Sequence, residues 1–201
     1  MNPEGKQIVF NGKAYSYDHL ILATGSGSTY FGHEDWRTFA PPMKILEHAE
    51  EIRRRLLMAM EQAEQTPNPE ARQFLQTVVI VGAGPSGCEM AGAVSELMRW
   101  ALNNAFKQLD PQKTRIVLVD PGDRVLRAMP EELSEAALVA LERDGIEFLP
   151  QGRVQTMRPG EVVISSPDGD VRVQAAMVIW TAGVKPSHLG QKLMEATGYE
   201  V

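Results

Sequence analysis

Only one cysteine, Cys88, stands in the 201 residues. That excludes a disulfide framework, a C-x-x-C redox pair and a cysteine-based zinc site, and it points to a reducing compartment, with a cytoplasmic location expected. The four histidines (His19, His33, His48 and His188) show no metal-ligand spacing, so no metal and no acid–base role is assigned to them. No run approaches the roughly 18 apolar residues that a bilayer-crossing helix needs. Residues 1–6 lack the apolar segment of a secretory signal. Positive charge is scarce as well: 20 Lys and Arg against 26 Asp and Glu give a formal charge of -6. This argues against a nucleic-acid partner, because phosphate binding draws on a basic patch. The one dense basic cluster, Arg53-Arg54-Arg55, lies among Glu47, Glu50, Glu51, Glu61 and Glu64 and reads as the solvated face of a helix. Internal repeats and low-complexity segments are also missing.

What is present has ordinary globular composition, 43% hydrophobic and 23% charged. The length suits one large domain, or one domain with an appendage. Residues 7–17 read as a hairpin around Asn11-Gly12, followed by an apolar strand over Tyr17–Leu22 that enters Ala23-Thr24-Gly25. Residues 26–42 read as a loop. From Met43 the apolar residues Ile45, Ala49, Ile52, Leu56, Met60 and Ala63 recur at helical spacing and stop near Thr66-Pro67. Strands are expected at 78–81, 116–120, 146–149 and 176–180, with a period-two antiparallel excursion over 154–173. A second helix is expected to run from the glycines at 82–87 towards Asp110. A third spans 131–143, with Leu133, Ala137, Ala140 and Leu141 on one face and Gly145 as its cap.

The most specific signal is Val78-Val79-Ile80-Val81-Gly82-Ala83-Gly84-Pro85-Ser86-Gly87, a strand breaking into G-x-G-x-x-G and then into a helix, with residues 1–77 ahead of it. In that context the motif reads as a dinucleotide site. Gly82 allows the turn, Gly84 lets backbone approach a pyrophosphate, and Gly87 lets helix pack on strand. Ala83, Pro85 and Ser86 complete the loop, and the phosphates would meet the unpaired N–H groups that open the helix. Asp120 ends the next strand, where a carboxylate grips a ribose diol and repels a 2′-phosphate. The bland reading of Asp120 is a turn residue before Pro121-Gly122. It lies beyond the usual offset of about 20 residues, which reads as an elongated first helix. Arg124 reads as a salt-bridge or adenine-packing residue. Glu89, placed in the first helical turn, is either a helix-dipole partner or a carboxylate at the nicotinamide end. Cys88 and Trp180 read as packing residues.

Two short segments, Ala23-Thr24-Gly25 and Thr181-Ala182-Gly183, each follow an apolar strand and bracket this region. With YDHLILATGS (17–26), YFGHEDW (30–36), the helix of 40–57, VDPGDRVL (119–126) and VIWTAGVKPSHLG (178–190), the arrangement resembles the pyridine-nucleotide-disulfide-oxidoreductase superfamily. Within it the chain is most similar to the type II NADH dehydrogenases. The resemblance implies an α/β fold: a Rossmann-like parallel sheet with flanking helices and an antiparallel β excursion, of the FAD/NAD(P)-binding type. It implies an NADH-binding domain at 26–183, with 1–25 and 184–201 as stubs of an FAD domain. It carries Gly82, Gly84 and Gly87 to the pyrophosphate, Asp120 to the adenosine ribose, Ala182 and Gly183 to the second crossing, and Glu89 to the nicotinamide side. NADH would be bound here and FAD by the longer protein, which would reduce a quinone from the cytoplasmic face of a membrane. The fragment alone would bind no FAD and be nearly inactive, and its exposed stubs could pair in a homodimer. A ferredoxin reductase, a sulfide:quinone oxidoreductase and a non-catalytic NAD(H)-sensing module remain the alternatives.

Overall fold

The computed structural model describes residues 2–198. In chain order the elements are β1 (Gln7–Phe10), β2 (Lys13–Ser16), β3 (Ser26–Ser28), α1 (Leu46–Gln65), α2 (Pro69–Leu75), β4 (Thr77–Val81), α3 (Pro85–Asn104), β5 (Arg115–Val119), α4 (Glu131–Arg143), β6 (Ile146–Leu149), β7 (Arg153–Arg158), β8 (Glu161–Ser166), β9 (Gly169–Gln174), β10 (Met177–Trp180), β11 (Val184–Pro186) and α5 (His188–Thr197). Short 3-10 helices occupy Glu34–Thr38 and Pro111–Lys113. The chain forms two compact units: Met1–Thr29 with Val184–Val201, and Tyr30–Gly183.

The larger unit is built on a parallel sheet of order β10-β4-β5-β6. All five residues of β4 are buried, as are Ile116–Val119 of β5 and the whole of β10. Apolar residues without alternation are what a sheet covered on both faces requires. Val78, Ile80, Ile116, Leu118 and Ile179 point to one side, where Ile52, Leu56 and Met60 of α1, Val94, Met98 and Leu102 of α3, and Leu141 of α4 meet them. Val79, Val81, Val117, Val119 and Val178 point to the other, against Met157, Val162, Ile164 and Val173 of the antiparallel sheet β7-β8-β9. The unit is therefore layered helix, parallel sheet, antiparallel sheet. Tyr30, Trp36 and Trp180 close the second layer: the Tyr30 and Trp180 rings stack at 4.8 Å, and Trp36 meets Trp180 edge-on at 5.9 Å. Trp180 is thus a packing aromatic, as the sequence reading has it.

Several boundaries differ from the sequence reading. The helix expected from Met43 begins at Leu46, because residues 41–43 hydrogen-bond alongside β10 instead; Met43 N–H reaches the Trp180 carbonyl at 3.1 Å. Ile45 lies outside the helix and is exposed. On α4 the inward face carries Ser134 rather than Leu133, which is 56% exposed; the Ser134 hydroxyl donates to the Val125 carbonyl. Gly145 follows α4 at φ +78°, the left-handed position where glycine ends a helix without strain. α3 stops at Asn104, so the offset to Asp120 comes from a long helix plus an irregular connection containing Pro111–Lys113.

The smaller unit holds the hairpin β1–β2, the antiparallel pair β3–β11, and α5. Tyr17–Leu22, expected as a strand, forms none, and Ile21 is 88% exposed. Apolar content alone does not hold a strand; its backbone groups need a neighbouring ladder, and none lies beside this segment among the described residues.

Candidate functional site

β4 delivers the chain to the glycine loop at the carboxyl edge of the parallel sheet. After β4 the chain moves through α3 to β5 and on to β6, whereas β10 returns on the opposite side of β4. The crevice outside the strand ends at such a reversal is where open α/β sheets take their ligands. Gly82 sits there at φ +106°, its N–H bonded to the Val119 carbonyl at 2.8 Å. A Cβ on Gly82 would lie 2.8 Å from the Ala182 nitrogen, and one on Gly87 would overlap the Gly82 carbonyl oxygen. Both positions are forced by close packing of the loop on the end of β10 and on α3. Gly84 differs: at φ −73° it is unstrained, and a Cβ there would meet nothing within 4 Å. Its missing side chain leaves room outside the protein, not inside it.

α3 starts with Gly84 as N-cap and Pro85 at the first helical position, where the ring's fixed φ suits the helix and its missing N–H costs nothing. Among the described residues the N–H groups of Gly84 and Ser86 have no acceptor, so the positive end of α3 is available to an anion. Glu89 is exposed and falls in the second turn of α3, one turn later than the sequence reading placed it.

Asp120 is tied on both oxygens. Oδ2 accepts from the Ala83 N–H at 2.8 Å and Oδ1 from the Gly122 N–H at 2.7 Å, joining the glycine loop to the turn after β5. The guanidinium of Arg124 forms no carboxylate pair among the described residues; it donates to the carbonyls of Met129 and Arg127, both at 3.3 Å. These residues line a groove of 390 Å³ with Ala83, Gly84, Pro85, Leu126 and Arg127. On the other side of the loop a groove of 490 Å³ runs along Ser86, Glu89, Met43 and Lys44. A larger groove of 570 Å³ opens near Asp110, Thr114 and Arg143, at the amino ends of the strands and away from both glycine-loop grooves.

The structure thus brings Gly82, Ala83, Gly84, Pro85, Ser86, Gly87, Asp120, Arg124 and Ala182 around one loop, with Glu89 on its far side and Gly183 just beyond it at φ +74°. Two contributors were missed in the sequence. Thr181 Oγ1 donates towards the carbonyls of Val81 and Gly82, at 2.8 and 3.0 Å, bridging the end of β10 to the loop. Leu126 stands at φ +51° and donates its N–H to the Ala83 carbonyl at 2.8 Å. A hydroxyl following an apolar strand was a visible hint for the first; a left-handed leucine has no sequence signal. Cys88 Sγ lies 3.5 Å from the Ala83 carbonyl. Burial, with the charges of Asp120 and Glu89, pushes its thiol up to about 11, so it carries no thiolate near neutrality.

The chain is 40% identical over 186 residues to the type II NADH:quinone oxidoreductase Ndh of Mycobacterium tuberculosis, a match covering 92% of this chain and 40% of that protein. It is 37% identical over 182 residues to NdhA of the same organism, covering 90% and 39%. The chain therefore spans about two fifths of the length of these relatives. Among solved structures, NDH2 from Plasmodium falciparum in complex with NADH shares the fold with a TM-score of 0.79 at 21% identity, over 90% of this chain and 37% of that one. Putidaredoxin reductase, in its covalent complex with putidaredoxin, does so with a TM-score of 0.69 at 22% identity, over the whole of this chain and 42% of that one. Residues 2–201 match the family model of the pyridine nucleotide-disulphide oxidoreductases, so both compact units, and not the glycine loop alone, belong to that family.

Proposed function

We propose that this chain is the NADH-binding part of a flavin-dependent NADH:quinone oxidoreductase. It holds the dinucleotide across the carboxyl ends of β4, β5 and β10, with the nicotinamide turned towards a flavin carried by the rest of a longer protein. The observation that carries this reading is Gly84. Its Cα faces open space at the positive end of α3, so the residue that must be glycine for a pyrophosphate to approach is required to be glycine neither by packing nor by its backbone angle. In this reading Gly82 and Gly87 shape the loop, and Ala83, Pro85 and Ser86 carry it into α3. Asp120 keeps lone pairs for the ribose diol, and Arg124 braces the far wall. Ala182 and Gly183 follow β10 on the near side, and Glu89 borders the groove assigned to the nicotinamide. Hydride donation is the chemistry of NADH itself, and the protein's part is to place and orient it. No residue of this chain is assigned as a catalytic acid or base.

FAD and the quinone would be handled by the longer protein, lying on the cytoplasmic face of a membrane. No helix among the described residues is long and apolar enough to cross one. Val9 and Phe10 at 65% exposure, and Val184 at 66%, support residues 1–25 and 184–201 as segments that pack on the flavin domain; a homodimer would use the same surface. Calorimetric titration of the purified chain tests the proposal. NADH is expected to bind more tightly than NADPH, and FAD not at all. Equal affinity for the two nucleotides, or a preference for NADPH, overturns the role given to Asp120, and binding of FAD overturns the division between this chain and the flavin domain.

A further inference from the structure

A second apolar stripe runs along α3, beside the one that meets the sheet. Met90, Ala93, Leu97 and Trp100 recur on it at spacings of three and four. Ala93 is exposed, and Trp100 is 63% exposed, whereas the other two tryptophans, Trp36 and Trp180, are buried. Next to the stripe a groove of 140 Å³ runs between α1 and α3, walled by Ala49, Ile52, Arg53 and Leu56 on one side and by Ala93 and Leu97 on the other. Apart from Arg53, every residue lining it is apolar. The charges on this face are unmatched. Of the three consecutive arginines of α1, Arg54 and Arg55 both turn onto Glu51, at 2.8 and 2.6 Å. Arg53 pairs with no carboxylate among the described residues, and Glu96, exposed next to Leu97, pairs with no cation.

We propose that this face is a contact between two copies of the chain, paired through antiparallel α3 helices about a two-fold axis. A two-fold contact needs one patch that carries both halves of the fit, and α3 has them. Ala93 and Trp100 lie equally far, about 5 Å along the helix, from the midpoint between Glu96 and Leu97. An axis through that midpoint sets Trp100 of each copy against Ala93 of the other, where a small side chain leaves the groove open to the indole ring. The same axis brings Glu96 of each copy to Leu97 of the other, on the groove that Arg53 lines. Arg53 then gains both a carboxylate and an aromatic face, and two unmatched charges become a matched pair. Tryptophan and arginine are also the residue types that dominate the energetics of protein contacts. At the crossing angle of about 50° common to packed helices, the partner's α3 swings clear of Glu89, about 11 Å along the helix from the axis, and the glycine-loop grooves stay open. In the longer protein the exposed strands of the smaller unit are given to the flavin domain, so pairing there needs a face of its own. This face draws on neither the flavin nor the nucleotide reading, and the proposals stand or fall separately.

Sedimentation velocity of the purified chain over a concentration series tests the pairing. Iodide quenching of tryptophan fluorescence is a second readout, because Trp100 is the exposed tryptophan. The wild-type chain is expected to dimerise reversibly, with quenching that falls as concentration rises. Trp100→Ala is expected to weaken the dimer by about tenfold or more. Arg53→Glu and Glu96→Arg should each weaken it several-fold, and the double reversal should recover most of that loss. All three side chains are exposed, so the monomers should keep the wild-type circular dichroism, and the charge pair carries the test even if the tryptophan variant does not. A wild-type chain that stays monomeric, its Trp100 quenched alike at every concentration, overturns the proposal. So does a dimer that none of the substitutions weakens, which would belong to the exposed strands of the smaller unit. A double reversal no better than the single ones overturns it as well.

Discussion

The three glycines of the loop answer to different demands, and single substitutions separate them. Gly84→Ala adds a methyl group to open space at an ordinary φ. The melting temperature should fall only slightly, by the exchange of a glycine N-cap for alanine, while NADH affinity should fall by about tenfold or more if the pyrophosphate approaches where the methyl stands. Gly87→Ala drives a Cβ into the Gly82 carbonyl, and overpacking of this kind costs about 1–3 kcal/mol; a thermal melt should drop by several degrees even without ligand. If both variants melted alike and bound alike, the assignment of Gly84 to the ligand would be lost. At Tyr30 burial dominates: its hydroxyl donates to the Ala40 carbonyl at 2.7 Å and is pushed up to about 12 from 10.0, with Arg37 partly opposing. The unfolded chain releases this proton at lower pH than the fold does. The stability it supplies is therefore complete below pH 10 and lost as pH climbs to about 12. Denaturant melts of wild type and Tyr30→Phe over that window should converge as pH rises. Cys88, with its thiol raised to about 11, should react with a thiol reagent at pH 8 far more slowly than an unfolded control.

At the scale of elements, the parallel strands, the long helices and the antiparallel excursion were all legible, because each has a local pattern strong enough to announce itself. α2 was not. The sequence reading ends the preceding helix near Thr66-Pro67-Asn68-Pro69 and assigns no element to 70–75, yet Asn68-Pro69 starts a helix: the Asn68 side chain accepts from the N–H groups of Glu70 and Ala71, and Pro69 takes the first helical position. β3 was invisible for another reason. Ser26-Gly27-Ser28 has no apolar pattern and is a strand only because β11 arrives beside it from Val184 onward. The residues around the loop show the same division: the glycines were readable from their spacing and Asp120 from its place at the end of a strand, whereas Thr181 and Leu126 owe their places to contacts with distant backbone. The antiparallel layer also makes a stability claim. Ile164 is fully buried against the valine face of the parallel sheet, so Ile164→Ala should cost about 2–5 kcal/mol in a urea melt. A cost under 1 kcal/mol would mean that β7-β8-β9 is not part of the core.

For the whole molecule, the contrast between the two units is one of burial. Every buried residue among those described lies in Tyr30–Gly183, and none lies in the smaller unit. Local opening follows the lack of buried contacts, so limited trypsin digestion should cut first at Lys6, Lys13 and Lys185 and leave a fragment close to 30–183. First cuts inside that span would contradict the division. The larger unit carries a further consequence in its central strand. Val78 and Ile80 face the helices while Val79 and Val81 face the antiparallel layer. Sliding β4 by one residue would exchange one of these aliphatic pairs for the other, so the hydrophobicity of these four residues does not select its alignment. Gly82 does, as the point where the end of β4 must fit beneath Ala182, and so does Gly87, which must clear the Gly82 carbonyl. A descendant of this chain that had ceased to bind any nucleotide would still be under selection to keep those two glycines, simply to assemble its sheet. Only Gly84 would be free to drift, and its identity, not the motif as a whole, would reveal to an evolutionary comparison whether the ligand was still there.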